Sequence, residues 1–221
     1  MGQALTGRRR VGVLISGRGS NLKSLIQAAA AKGFPAEIAL VISNRADAGG
    51  LAHARKAHIA TEVIPHKNYP SREAFDAELH MALTQAKIDL VCLAGFMRLL
   101  TPEFVEGWRG RMLNIHPSLL PAFPGLDTHE RALKAGVRFT GCTVHFVRAE
   151  MDAGPIVAQA AVPVLPGDTP KTLAARVLEA EHRLYPLALG LVAGGKARVI
   201  GEQVKIAGHK GPAGPLFNPR P

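Results

Sequence analysis

Four short apolar runs, VGVLIS (11–16), EIALVIS (37–43), ATEVIP (60–65) and IDLVCLAG (88–95), are separated by stretches whose apolar residues recur at helical spacing. That alternation predicts a βαβαβαβ beginning. The runs are nearly continuous in Val, Ile and Leu, as in strands buried on both faces, so a parallel sheet with right-handed crossovers is expected. RMLNIHP (111–117), FTGCTVHFV (139–147) and IVAQAAVPV (156–164) read as further strands. The sum is an α/β chain with a mostly parallel sheet of about seven strands and helices on both faces. If the first three strands run outward as 3-2-1 and the fourth pairs on the other side of the first, the loops after strands one and four diverge and open a crevice.

Helix punctuation agrees with this division. Ser71 caps SREAFDAELHMALTQA, and Thr101-Pro102 and Thr169-Pro170 each place an N-cap before a proline at the first helical position. A short helix is expected near 128–135 and a long one from about 170 to 192. There is no internal repeat, and no linker between Val11 and Val192 separates two cores. Residues 1–208 are therefore expected to form one domain with an 11–100 half and a 101–208 half, followed by an extended or disordered Gly- and Pro-rich tail at 209–221.

Composition narrows the class. The hydrophobic fraction is 47% with only 5% aromatic, which suits helices packed on a parallel sheet better than an all-β fold. No apolar stretch reaches the roughly 18 residues a membrane span needs, and MGQALTGRRRVGVLIS has no cleavage-site pattern, so a cytoplasmic protein is expected. Cys92 and Cys142 sit inside strands and read as reduced core residues. The formal charge of +10 includes Arg8, Arg9 and Arg10. It fits either a nucleic-acid partner or small polyanions such as phosphates, but no basic stripe with interleaved aromatics appears.

Candidate chemistry lies in the loops. Gly17 and Gly19 stand where the first strand turns into a helix, a place where free N–H groups and the helix dipole favour an anion. Ser20 and Asn21 add donors and can cap that helix. A dinucleotide fingerprint would need a third glycine where Leu22 stands and an acidic residue where Ser43, Asn44 and Arg45 stand, which disfavours hydride transfer. By itself the loop fits a phosphate cradle or a plain turn. AGFMRLL, with Phe96, Met97, Leu99 and Leu100, offers a second, apolar wall or ordinary packing.

The run NIHPSLLPAFPG (114–125) carries the sharpest signal. A period of two puts Asn114 and His116 on one face at the carboxyl end of a strand, where α/β proteins bind ligands, and three prolines stiffen the exit. Asp152, in the loop between the last two strands, is either a turn residue or the carboxylate that orients the imidazole. On the final helix Glu181 shares a stripe with Leu173, Val177, Leu184, Tyr185 and Ala188. It therefore points inward, either to pair with a buried Arg or to accept from ligand hydroxyls.

Taken together, LISGRGSNL, LAGFMRLL, LNIHPSLLPAFPG, TVHFV, DAGPI and AEHRLYP resemble, in order and spacing, the glycinamide ribonucleotide transformylases, folate-dependent formyltransferases of purine synthesis. The resemblance covers about Val11 to Val192; Arg18 and Asp127 are places where the family varies. It implies a Rossmann-like formyltransferase fold and 10-formyltetrahydrofolate as formyl donor, with no metal. It also implies that Gly17, Gly19, Ser20, Asn21 and Leu22 hold the substrate phosphate and that Glu181 contacts the ribose. Met97, Arg98, Leu99 and Leu100, with residues 148 to 152 (Arg148 and Met151 among them), would line the pteridine pocket, and Arg72 would hold the folate end. Asn114, His116 and Asp152 would be the catalytic trio, with Asn114 and a protonated His116 donating to the oxyanion.

The implied partners are two small molecules, with no nucleic acid or membrane, in a monomer or homodimer. A formyl-tetrahydrofolate hydrolase or a methionyl-tRNA formyltransferase shares such a trio but carries a further domain for which this length leaves no room. A silent nucleotide sensor and a nucleic-acid-binding module are the readings outside the enzyme class.

Overall fold

The computed structural model describes residues 7–209, 211 and 214–219. Seven strands form one sheet: β1 (Arg9–Ile15), β2 (Ala36–Ser43), β3 (Ala60–Val63), β4 (Leu90–Leu93), β5 (Met112–His116), β6 (Phe139–Phe146) and β7 (Ile156–Pro163). Their order is β3-β2-β1-β4-β5-β6-β7, so the chain reverses its winding between β1 and β4, as expected. The first five strands pair in parallel, whereas β6 runs antiparallel to β5 and β7 antiparallel to β6. β6 therefore ends beside the start of β5, with Phe146 opposite Leu113, and the β6–β7 loop folds back far enough for Asp152 to reach His116.

Strand alternation divides the core into two layers. Val11, Val13 and Ile15 pack with α1 (Ser20–Ala29), α2 (Gly50–Lys56) and α6 (Pro170–Ala193) on one face. Leu14, Ile42 and Val91 pack with α3 (Arg72–Gln85) and α4 (Pro102–Gly107) on the other. α5 (Thr128–Lys134) follows the Pro-rich run. Tyr185, fully buried on α6, shares its hydroxyl proton between the Leu93 and Leu113 carbonyls, each 3.1 Å away, and so anchors α6 to the end of β4 and the start of β5. Cys92 and Cys142 are buried free thiols, and burial pushes each up to about 12.

The anticipated caps at Ser71, Thr101 and Thr169 all accept a hydrogen bond from their helices. α1 departs from expectation: its cap is Gly19 in the left-handed region (φ 75°), and neither Ser20 nor Asn21 caps it. Only glycine fits at 19, because a Cβ there would strike the Gly50 Cα at the start of α2.

A hairpin of β8 (Ala197–Ile200) and β9 (Gln203–Ile206) was not anticipated, although two short β-rich runs flanking Gly201-Glu202 are a hairpin signature. Residues 214–219 carry no helix or strand, and Asn218 Nδ2 donates to the Arg138 carbonyl at 2.6 Å and to that of Val164 at 3.1 Å. The rest of the tail and the first six residues lie outside the described ones. The arginine triplet is engaged in the fold: Arg8 donates to the Ala29 and Ala36 carbonyls, Arg9 reaches Asp89 at 3.4 Å and Arg10 reaches Glu37 at 2.9 Å. Among the described residues no helix is long and apolar enough to cross a membrane.

Candidate active site

β5 ends with Asn114 and His116 on one face, and the antiparallel register sets Asn114 opposite His145 and His116 opposite Thr143. His145 Nδ1 donates to the Phe146 carbonyl at 3.0 Å, and burial holds this imidazole below the ordinary histidine value. The neutral ring therefore presents Nε2 as an acceptor, 3.3 Å from Asn114 Nδ2, and this orients the amide. One N–H of Asn114 is used in this way, which leaves the second for a ligand.

His116 is 6% exposed. Its Nδ1 lies 3.3 Å from Asp152 Oδ2, and Asp152 Oδ1 lies 3.8 Å from His145 Nε2. Asp152 also accepts from Gly125 N at 2.8 Å, which ties the β6–β7 loop to the end of the Pro-rich run. Asp152 and Phe123 both adopt left-handed backbone (φ 57° and 53°), a conformation that tertiary contacts must enforce for non-glycine residues. The expected trio thus converges, with one amendment. His116 Nε2 donates to the Phe123 carbonyl at 3.0 Å, so its proton is not free for a substrate oxygen in this arrangement.

The stiff exit has a polar scaffold beneath it, buried at Thr143 and Ser118. Thr143 Oγ1 donates to the Ser118 carbonyl at 2.7 Å and accepts from Leu120 N at 3.0 Å. Gln159 Nε2 donates to the Leu120 carbonyl at 2.9 Å and to Thr143 Oγ1 at 3.0 Å. Ser118 Oγ closes the turn on the Ala122 carbonyl at 2.6 Å, and the Leu120–Pro121 bond is cis. These groups hold the run that carries Phe123, and hence the partner of His116.

At the other end of the crevice, the N–H groups of Ser20, Asn21 and Leu22 precede the first helical bond of α1, from Lys23 N to the Gly19 carbonyl at 2.9 Å. They are the unpaired donors of a helix start, while the Gly17 carbonyl is taken by Gly50 N at 3.0 Å. The Asn21 side chain is committed elsewhere: its Nδ2 donates to Glu181 Oε2 at 2.7 Å, joining α1 to α6. Among the described residues Glu181 has no arginine partner, and burial pushes its carboxyl up, opposed by the Asn21 bond. A groove of about 760 Å³ runs from this loop between α1, α2 and α6. Its charged side chains, Arg18, Lys23 and Arg183, are all basic, and His53 and His182 are among its other lining residues.

The β4–α4 loop forms the facing wall. Met97 and Leu99 are 72% and 63% exposed, with Met151 also exposed across the crevice. Arg98 lies over the Phe75 ring at 5.8 Å, and Arg72 opens α3 at the surface. Arg148 does not join this wall through its side chain, because Nε pairs with Glu202 of the β8–β9 turn at 3.1 Å. That partner comes from the hairpin the sequence reading had not foreseen. No role was expected of His145, Thr143 and Gln159. Two of them lay in plain view as polar residues on one face of TVHFV.

The seven-stranded α/β sheet reverses its winding and gathers an amide, two imidazoles and a carboxylate at one strand end. The chain belongs to the formyl transferase family, whose characteristic domain matches residues 9–189. It is 53% identical over 199 residues to the trifunctional purine biosynthetic protein adenosine-3 of Homo sapiens; the match covers 90% of this chain and 20% of that one. The chain thus spans a fifth or less of the trifunctional relatives it matches. It is 48% identical over 187 residues to the phosphoribosylglycinamide formyltransferase of Escherichia coli (strain K12), covering 85% of this chain and 88% of that one. The crystal structure of glycinamide ribonucleotide transformylase 1 from Symbiobacterium toebii superposes with a TM-score of 0.89 at 50% identity, covering 91% and 95% of the two chains.

Proposed function

We propose that this chain transfers the formyl group of 10-formyltetrahydrofolate to the primary amine of glycinamide ribonucleotide, a step of purine biosynthesis in the cytoplasm, as a single unit over residues 1–208. The observation that carries the reading is the meeting of Asn114, His116, His145 and Asp152 at the end of β5, in a chain of this family. The basic groove beside Ser20 supports a phosphate-bearing substrate. The exposed apolar side chains of Met97, Leu99 and Met151 support a flat donor on the facing wall.

In this mechanism the amine nitrogen attacks the formyl carbon and forms the new C–N bond while the carbonyl oxygen takes up negative charge. The second N–H of Asn114, aimed by His145, donates to that oxygen. His116 joins when Nε2–H leaves the Phe123 carbonyl for the oxyanion, and Asp152 beside Nδ1 stabilises the imidazolium. Collapse breaks the bond between the formyl carbon and the folate nitrogen. Asp152, directly or through water, carries the proton from the attacking nitrogen to that leaving nitrogen. Neither a covalent formyl-enzyme nor a metal is part of this scheme.

Glycinamide ribonucleotide sits with its phosphate on the N–H groups of Ser20, Asn21 and Leu22 and its ribose hydroxyls at Glu181. The folate lies on the backbone of Met97, Arg98, Leu99 and Leu100 and of residues 148 to 152, with Arg72 at its far end. The test is turnover: the purified chain, glycinamide ribonucleotide and the formyl donor are mixed and folate absorbance is followed. Formyl transfer is expected; folate release without formylated product would replace this reading with hydrolysis.

A further inference from the structure

The β4–α4 loop, residues 94–101, has no helix or strand of its own, yet both its ends are tied to other elements by buried side chains. At the near end Met97 N donates to Ser16 Oγ at 2.8 Å, and that hydroxyl donates onward to Asn44 Oδ1 at 2.7 Å. At the far end Thr101 N donates to Asp76 Oδ2 at 2.6 Å. Ser16 is 6% and Asp76 2% exposed, so water does not compete for either contact.

Asp76 is an expensive residue for this place. It stands on α3 beside Phe75 and Leu79 in the layer under the loop, where an apolar side chain would pack without desolvation. Burial pushes its carboxyl up, opposed first by Thr101 and then by the charges of Arg98 and Arg72. Its second oxygen, Oδ1, is buried without a partner, and so is Arg98 Nε in the loop above. A carboxylate with half its capacity unused is a poor way to stabilise a helix. What it does accomplish is to fix the backbone at Thr101, while Ser16 fixes it at Met97. Between those points lie Arg98, Leu99 and Leu100, whose main-chain groups have no strand or helix to hold them.

We propose that Asp76, with Ser16 as its counterpart, is a positioning residue that holds the 97–100 loop in the shape that receives the formyl donor; this rests on the folate reading given above. A loop tied at both ends keeps its N–H and C=O groups aimed before the ligand arrives, so little ordering remains to be done on binding. The role of Asp76 concerns the donor alone, because its hydrogen bond reaches Thr101 and neither the β1–α1 loop nor Glu181, whereas Ser16 stands at the start of that loop beside Gly17.

Steady-state kinetics of the full chain against each substrate in turn tests this. Asp76→Ala is expected to raise KM for 10-formyltetrahydrofolate on the order of tenfold and to leave KM for glycinamide ribonucleotide within about twofold of its starting value. Asp76→Asn, which keeps an acceptor for Thr101 N, recovers most of the loss, and Ser16→Ala raises the donor KM in the same direction. An Asp that only braced α3 would lower the melting temperature and shift both KM values together, or neither. Either of those outcomes overturns the proposal. Should Asp76→Ala not fold, Ser16→Ala carries the test through the donor KM, and an unchanged donor KM there overturns the proposal. Equilibrium titration of the unaltered protein with the donor separates the two readings. No donor binding sinks the folate reading itself, whereas donor binding that is equal in Asp76→Ala or Ser16→Ala sinks only the positioning role.

Discussion

The two walls of the crevice are built on opposite principles. At the end of β5 the polar groups are buried or half-buried and already paired with one another: His116 with Asp152, Asn114 with His145, Asp152 with Gly125. At the β4–α4 loop the exposed surface is apolar, with Met97 72% exposed, and the polar anchoring is hidden beneath it. The first wall suits developing charge, because dipoles arranged during folding need no rearrangement at the moment of reaction. The second suits a broad flat ligand, because its apolar side chains gain burial only when the ligand covers them. Substitutions on the first wall should therefore change the chemical step, and those on the second should change affinity for one substrate.

The largest expected effect comes from Asp152→Asn and His116→Ala. Each should lower kcat by roughly 10² to 10³ or more while circular dichroism and melting stay near those of the unaltered protein. Near-normal turnover in either would break the assignment of this wall. Next is His145→Ala, which leaves Asn114 in place but without the acceptor that aims it. A loss of kcat on the order of tenfold is expected, with both KM values little changed.

Glu181→Gln tests the far end of the crevice and should raise KM for the ribonucleotide on the order of tenfold without affecting the donor. The same substitution has a stability signature. Burial raises the Glu181 carboxyl above its unfolded value, so between those two values the folded chain binds a proton that the unfolded chain has released. Stability is then full below the unfolded value and declines as pH rises toward the folded one. Melting temperature plotted against pH should fall across that window in the unaltered protein and stay flatter in Glu181→Gln. The smallest effect belongs to Leu99→Ala on the exposed wall: donor KM up about threefold to tenfold, with no change in melting, since at 63% exposure the side chain adds little to the core. A large drop in melting temperature would erase the contrast between the walls.

Much of this was readable in advance because it depends on local spacing. The strand runs, the caps at Ser71, Thr101 and Thr169, and the shared face of Asn114 and His116 all follow from periods of two or 3.6 and from turn chemistry. The inward direction of Glu181 was visible in the same way. Its partner was not, since Asn21 lies 160 residues away and its amide was expected at the helix cap. Arg148 was placed in the pocket wall by the family resemblance alone, which carries no information about Glu202, the hairpin-turn residue that its guanidinium pairs with.

The order of apolar and polar residues by itself determined the layers, the strand sequence and the kinds of side chain at each strand end, because burial and backbone periodicity act over a few residues at a time. Only the folded chain decided which groups meet. The antiparallel turn of β6 set His145 against Asn114, the β6–β7 loop swung Asp152 onto His116, and the Thr143–Gln159 scaffold placed the Phe123 carbonyl that holds the imidazole. Hydrogen bonds and charge contacts act over about 3 to 4 Å, and contacts that short between residues tens of positions apart are decided by how the strands and loops come together.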